Sequence, residues 1–349
     1  MSIVPQVDHI PVDLSDHARG RLFDSHGRVI TDLRVSITDR CNYKCVYCRT
    51  GQVGAQYAEL TTAEYLRLIR SFVELGIEKV RLTGGEPLLR KDLLQMVREL
   101  SSWRTTSGQP LDLAITTNGH LLESLAKPLK EAGLTRITVS MDAVEEATFE
   151  RVTRIHGSFH AVVRGIRAAQ QAGMGRVKVN CVLLRGFNDD QIEGFAEFAR
   201  REDVIVRFIE FMPLGEDRLW SPEIVVPLRE IVNRLSAVFP LRPLTPNSAS
   251  ETARRYGFAD GVGEIGIIAP VTQAFCGACS RIRLTSDGKI RTCLFSNFEH
   301  DLYRQMRNGA SDEGLQEFIV RAVEQKEARH HIGEPGFLKP SRSMVHIGG

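Results

Sequence analysis

From residue 33 onward the apolar positions switch regularly between two spacings. Short runs rich in Val, Ile, Leu and Thr predict strands at 33–38, 79–83, 111–117, 136–140, 176–184 and 204–211. Between them, apolar residues recurring every three or four positions predict helices at 62–75, 92–101, 121–132, 159–172 and 190–200. Gly76, Gly133 and Gly173 follow three of these helices, where a left-handed cap residue closes the last turn. Six strands alternating with helices predict parallel βα units. Their repetition predicts an incomplete (βα)6 barrel of the TIM type over residues 31–245, in an α/β fold. Functional residues in such folds collect at the carboxyl ends of the strands, and the motifs below are expected there.

The flanks break this rhythm. Residues 1–30 show little periodicity and read as an N-terminal extension. The stretch 241–256, with Pro243, Pro246 and several Ser and Thr, reads as a connection. After it the pattern predicts short strands at 265–269, 282–285 and 289–294. The last two are joined by a Ser286-Asp287-Gly288 hairpin turn. A helix is expected between Leu315 and Lys326, and 333–349 reads as irregular. Residues 246–349 are therefore expected to form a C-terminal region beyond the barrel.

Composition narrows the function classes. The 349 residues are 42% hydrophobic and 25% charged, as in an ordinary globular enzyme. A formal net charge of +2 argues against bulk nucleic-acid binding and against a basic membrane surface. No apolar run has spanning length. The first twenty residues fit neither a secretory signal nor a transit peptide. A reducing cytoplasm is the expected location.

The cysteines change the picture most. Six of the seven fall into two triplets: Cys41, Cys45 and Cys48, then Cys276, Cys279 and Cys293. Cys181, in a strand-like run, reads as a buried and inert thiol. The first triplet has C-x3-C-x2-C spacing just after the first predicted strand. Offsets of four and seven also fit a helix face, and a zinc site is a further alternative. Zinc normally takes four protein ligands, and neither a histidine nor a fourth cysteine lies near. Three thiolates instead suit an iron–sulfur cube with one iron left open to bind a small molecule. The second triplet is one ligand short in the same way and predicts a second open cluster. Arg281 and Arg283 follow Cys279 at strand spacing, on one face, as a pair able to grip a polyanion.

C-x3-C-x2-C with Tyr47 before the last cysteine resembles the radical S-adenosylmethionine (SAM) superfamily. Thr83-Gly84-Gly85-Glu86-Pro87 resembles its GGE motif. The resemblance implies that Cys41, Cys45 and Cys48 hold a [4Fe-4S] cluster whose open iron chelates SAM and cleaves it to a 5′-deoxyadenosyl radical. It further implies that Tyr47, Gly85, Ser140 and Met212 help to bind SAM. Together with Arg81–Pro87, Thr116-Thr117-Asn118-Gly119, Lys178-Val179-Asn180 and the 276–293 segment, these motifs resemble the GTP 3′,8-cyclase family of molybdenum cofactor biosynthesis over nearly all of residues 20–349. That resemblance implies a second [4Fe-4S] cluster on Cys276, Cys279 and Cys293, meeting the guanine base. It implies GTP contacts from Arg34, Arg81, Thr116, Lys178, Arg281, Ile282 and Arg283. Arg281, Arg283 and a C-terminal Gly348-Gly349 pair entering the site are implied to serve catalysis. The implied product is (8S)-3′,8-cyclo-7,8-dihydroguanosine 5′-triphosphate, which a partner enzyme, the cyclic pyranopterin monophosphate synthase, consumes. An electron donor and a homodimer are implied as well. Residues 1–20 depart from the pattern and receive no role.

Two rivals are weighed against this. One is a different radical SAM enzyme with an auxiliary cluster, such as a peptide-modifying maturase; these usually carry more C-terminal cysteines. The other is a zinc-binding interaction module without catalysis.

Overall fold

A computed structural model describes residues 20–48, 55–215 and 219–347. Fourteen strands are named in chain order. β1 (Leu22–Phe23) and β2 (Val29–Ile30) form a small hairpin. The main sheet contains β3 (Asp32–Ser36), β4 (Lys79–Thr83), β5 (Asp112–Thr117), β6 (Arg136–Ser140), β7 (Lys178–Leu183) and β8 (Ile205–Glu210). It continues with β9 (Leu241–Leu244), β10 (Arg254–Phe258), β11 (Glu264–Ile268), β12 (Arg281–Leu284), β13 (Lys289–Arg291) and β14 (His300–Asp301). The order across it is β14-β13-β12-β3-β4-β5-β6-β7-β8-β11-β10-β9.

β3 to β8 are consecutive and parallel, as the βα rhythm predicts. The C-terminal chain then supplies a further parallel strand at each edge, β12 beside β3 and β11 beside β8. β12 and β11 do not pair with each other, so the barrel stays open along one side. Helices cover the outer face. Thr62–Glu74 begins with a reciprocal capping box, the Thr61 hydroxyl accepting from Glu64 N–H and the Glu64 carboxylate from Thr61 N–H. It buries Tyr65, Leu68, Ile69 and Phe72 against the sheet. The three cap glycines have positive φ, between +77° and +104°.

Alternation along the strands sorts the sheet's two faces. Leu33, Val35, Val80, Leu82, Leu113, Ile115, Ile137, Val139 and Ile282 are fully or almost fully buried in the shell between sheet and helices. The residues between them, including Arg34, Arg81, Thr116, Thr138, Lys178, Asn180, Arg207, Arg281 and Arg283, face the barrel's hollow side.

Some expectations need correction. The 241–256 stretch is not a mere connection: it contains β9 and the start of β10. Pro243 is tolerated because β9 is the sheet's edge, where a missing N–H breaks no ladder. The N-terminal extension contributes a hairpin whose Leu22 and Ile30 join the core. The irregular tail includes a short helix, Met344–Ile347. Helices Glu146–Thr153 and Leu228–Val238 were not anticipated.

Candidate active site

The first triplet sits beyond the carboxyl end of β3. Its cysteines form no disulfide and are half-buried. The loop is moored to helix Glu146–Thr153, whose last carbonyls, Val152 and Thr153, accept the N–H groups of Val46 (2.9 Å) and Lys44 (3.2 Å). Tyr43 is buried edge-on to Phe149 of the same helix. The Tyr47 hydroxyl donates to Asp142 Oδ2 at 2.7 Å, and Asp142 Oδ1 accepts Val182 N–H at 2.8 Å. Burial pushes the Asp142 carboxyl up to about 6, against those two hydrogen bonds. Asp142 thus ties the cysteine loop to β6 and β7, two residues beyond Ser140. Sequence reading passed over it, although its place just after a strand end was a usable signal.

Close approach explains the two glycines of the 83–87 turn. A Cβ on Gly84 would lie 2.1 Å from Thr38 O, and one on Gly85 2.3 Å from Arg40 O. The Gly85 N–H is committed to Thr38 O at 2.8 Å, and Glu86 N–H to Arg40 O at 2.8 Å. The turn is therefore clamped to the segment after β3 that leads into Cys41. Glu86 is wholly buried and accepts from Leu88 N–H, Thr117 Oγ1 and Asn118 N–H at 2.7–2.9 Å. Burial raises it to about 7 in spite of these donors.

The second triplet corrects an expectation about place. β12 runs parallel to β3 with Arg281 opposite Asp32, so Cys279 precedes the amino end of the barrel strands. β13 is antiparallel to β12 and returns Cys293 to that same end. The two triplets therefore lie at opposite ends of the barrel, not both at the carboxyl end. The buried Arg28 guanidinium braces the second loop, donating to Cys276 O (3.0 Å), Ala328 O (2.8 Å) and Glu327 O (2.6 Å). Arg281 donates to Cys279 Sγ at 3.3 Å. Burial alone would raise the Cys279 thiol, but Arg281 and Lys326 outweigh it and bring it down to about 6. A thiolate ready to ligate metal follows from this.

Among the described residues no three His, Cys, Asp or Glu side chains are grouped to hold a single metal ion. A cube of irons spreads its thiolates wider than one ion does, and two triplets of half-buried cysteines outside any disulfide suit it.

A belt of cations fills the space between. Arg283 stands opposite Arg34, and Arg34 opposite Arg81. Arg81 donates to Thr116 Oγ1 (3.1 Å) and Thr138 Oγ1 (3.3 Å). Arg207 on β8 donates to Asn180 Oδ1 (2.9 Å) and Thr138 Oγ1 (3.4 Å). Burial, with the pressure of neighbouring cations, lowers the whole set. Arg81 falls to about 10, Arg207 to about 9 and Lys178 to about 8, while Arg34 and Arg283 shift the same way. Such mutual repulsion marks a site built for a polyanion. Arg34, Arg81, Thr116, Lys178, Arg281 and Arg283 all join the belt. Ile282 does not: its side chain packs in the outer core, leaving only backbone toward the hollow. Arg207 was missed, since a lone arginine in a strand carries no motif.

Met212 follows β8 and packs on Leu214, Phe295, Ile332 and Ile347, a cluster that Cys293 and Met344 also join. Gly348 and Gly349 lie outside the described residues. Cys181 is fully buried, as expected, with its thiol directed to Asp142 O at 3.8 Å.

Comparison with known proteins now has a geometry to meet. The radical SAM superfamily model matches residues 35–199, and Molybdenum Cofactor Synthesis C matches 204–332. A GTP 3′,8-cyclase of Acidothermus cellulolyticus is 42% identical over 88% of this chain and 87% of its own length. One of Syntrophomonas wolfei is 40% identical over 94% of this chain and all of its own. The chain belongs to the GTP 3′,8-cyclase family. Its cofactors are accordingly SAM and iron–sulfur clusters. Among solved structures, Streptococcus suis SuiB bound to S-adenosylmethionine aligns with a TM-score of 0.60 at 12% identity, over 80% of this chain and 65% of that one. Native anSMEcpe with bound AdoMet also gives 0.60, at 15% identity, over 85% and 81%. These two share the fold. Among the described residues no helix is long and apolar enough to cross a membrane.

Proposed function

We propose that this radical SAM lyase converts GTP to (8S)-3′,8-cyclo-7,8-dihydroguanosine 5′-triphosphate in molybdenum cofactor biosynthesis. The observation that carries the reading is the placement of two cysteine triplets at opposite ends of one barrel with a cationic belt between them. In this reading Cys41, Cys45 and Cys48 hold the cluster that works with SAM, beside Tyr47, Gly85, Ser140 and Met212. Cys276, Cys279 and Cys293 hold the cluster that meets guanine. When loaded, the cofactors supply a 5′-deoxyadenosyl radical at one end and a grip on the base at the other.

The chain's own residues then perform positioning. Arg34, Arg81, Lys178, Arg281 and Arg283, with Thr116 and the Ile282 backbone, fix the triphosphate, and Arg207 joins them. Holding both the base and the phosphates leaves the ribose little freedom, so one C–H bond is presented to the radical. Gly348 and Gly349 are read as serving catalysis together with Arg281 and Arg283. A cytoplasmic homodimer served by an electron donor, passing its product to the cyclic pyranopterin monophosphate synthase, completes the proposal.

Anaerobic reconstitution followed by SAM, reductant and GTP tests it directly. A nucleotide of unchanged mass but altered retention, formed in step with 5′-deoxyadenosine, is expected. SAM cleavage that depends on a peptide and not on GTP would overturn the reading.

Lys178 adds a pH signature. Its neighbours are Arg207, Arg136 and Arg81, with Glu251 opposing them. In the free enzyme it loses its proton near pH 8, and a bound triphosphate favours the charged form. Binding above pH 8 must therefore take up a proton, and GTP affinity falls as pH rises through 8, by at most about tenfold per pH unit. Titration calorimetry between pH 7 and 8.5, below the Arg207 value of about 9, should show that slope, and Lys178→Arg should flatten it.

A further inference from the structure

A cavity of about 310 Å³ opens at the amino ends of β7 and β8, beside β11. One wall carries Arg176, Lys178 and Arg207; the other is a loop bearing Asn247 and Glu251, next to Arg255. Gly266 lets the Arg207 stem lie flat against the sheet, since a Cβ there would come within 3.1 Å of Arg207 Cγ and of Ala253 Cβ.

The cations in this cavity are not equivalent. Arg176 pairs with Asp203 at 2.7 Å and Arg255 with Glu264 at 2.6 Å. Among the described residues, Lys178 and Arg207 have no carboxylate within ion-pair distance. The Glu251 carboxylate in turn accepts Asn247 N–H (2.6 Å) and Asn247 Nδ2 (3.2 Å), both from its own loop. It faces Lys178 and Arg207 across the cavity without touching either, close enough to act on both through the field.

We propose that Glu251 is the resident counter-charge of this phosphate port, where Lys178 and Arg207 receive the polyphosphate in the reading above. While the port is free, Glu251 offsets Lys178 and Arg207 and limits their repulsion. When the polyphosphate enters, its oxygens compete with Glu251 for the same two cations. The carboxylate therefore weakens anion binding and stabilises the free enzyme. This rests on the reading that Lys178 meets the triphosphate.

The test is calorimetry with inorganic tripolyphosphate on the cluster-loaded enzyme, at fixed ionic strength and with chelator present. Glu251→Gln retains the acceptor oxygen for Asn247 N–H and removes the charge. Its affinity for tripolyphosphate should rise roughly threefold to tenfold, as for one like charge lifted from a partly solvated cavity. Its melting temperature without ligand should fall, while that of the tripolyphosphate-bound form stays close to wild type. Unchanged or weaker binding would overturn the proposal. So would a gain in tripolyphosphate affinity on replacing the chelator with magnesium that wild type shows and Glu251→Gln lacks, because Glu251 would then be a metal ligand. Lys178→Met separates the two levels of inference: if it leaves tripolyphosphate affinity unaltered, the assignment of Lys178 to the phosphates has failed.

Discussion

Cys45→Ala will abolish reductive cleavage of SAM and leave about half the iron in place. The wild-type chain should hold about eight irons, and the variant roughly four. The expectation follows from the separation of the triplets. Cys45 lies beyond the carboxyl end of β3, moored to helix Glu146–Thr153, whereas Cys276, Cys279 and Cys293 gather at the strands' amino ends. Arg28, which braces the second loop, spends its guanidinium on Asp24 and on the Cys276, Glu327 and Ala328 carbonyls. Losing one thiolate therefore unmakes one cluster and spares the other. Iron and sulfide analysis, with 5′-deoxyadenosine quantified after reduction, gives both halves of the answer. Loss of all iron, or wild-type SAM cleavage, would sink it. Two zincs and no iron in the wild type would instead favour an interaction module.

The second large effect has opposite signs for stability and binding. Arg34→Met should stabilise the free enzyme by about 1–3 kcal/mol, as when a poorly compensated buried charge gives way to an apolar side chain. It should also weaken GTP binding roughly tenfold to a hundredfold, the worth of one charge-assisted hydrogen bond. Arg34 stands between Arg81 and Arg283 in register. Its Nε is buried with no hydrogen-bond partner. Burial lowers its proton affinity, Asp32 opposes that shift, and Arg281 adds to it. Asp32 keeps Arg281 opposite it after the substitution. Chemical denaturation and calorimetry with GTP read the two effects separately. A destabilised variant would show that Asp32 compensates Arg34 more than its neighbours oppose it.

Such opposed effects are characteristic of a site prepared for an anion. The cost of gathering like charges is borne by the ordered barrel and recovered when the polyphosphate arrives. Glu251 and Lys178 are the two places where that balance can be read, one through charge removal and the other through pH.

Local spacing made much of this readable. The 79–83 and 136–140 strands begin and end where the apolar pattern places them, because each residue's face is set by its immediate neighbours. Cysteine spacing announced two incomplete cube sites, and Arg-x-Arg announced a cationic face, for the same short-range reason. Edge effects escaped this logic. Pro243 reads as a breaker until β9 is known to lie at the rim of the sheet.

The site's long-range parts had no local signature. Asp142, Glu86 and Arg207 are single polar residues, and their roles arise from partners 27 to 95 positions away along the chain. Helix Glu146–Thr153 carries few apolar residues, yet its terminal carbonyls hold the first cysteine loop. Above all, the C-terminal segment could have been a separate domain beside the barrel. Parallel pairing of β12 with β3 instead carried the second triplet to the far end of the hollow and aligned Arg283 with Arg34. Residue order and spacing suffice to suggest the chemistry proposed above: two open clusters and a polyanion grip. Where those parts stand relative to one another follows from strand pairings between segments some 250 residues apart, whose register depends on burial across the whole sheet.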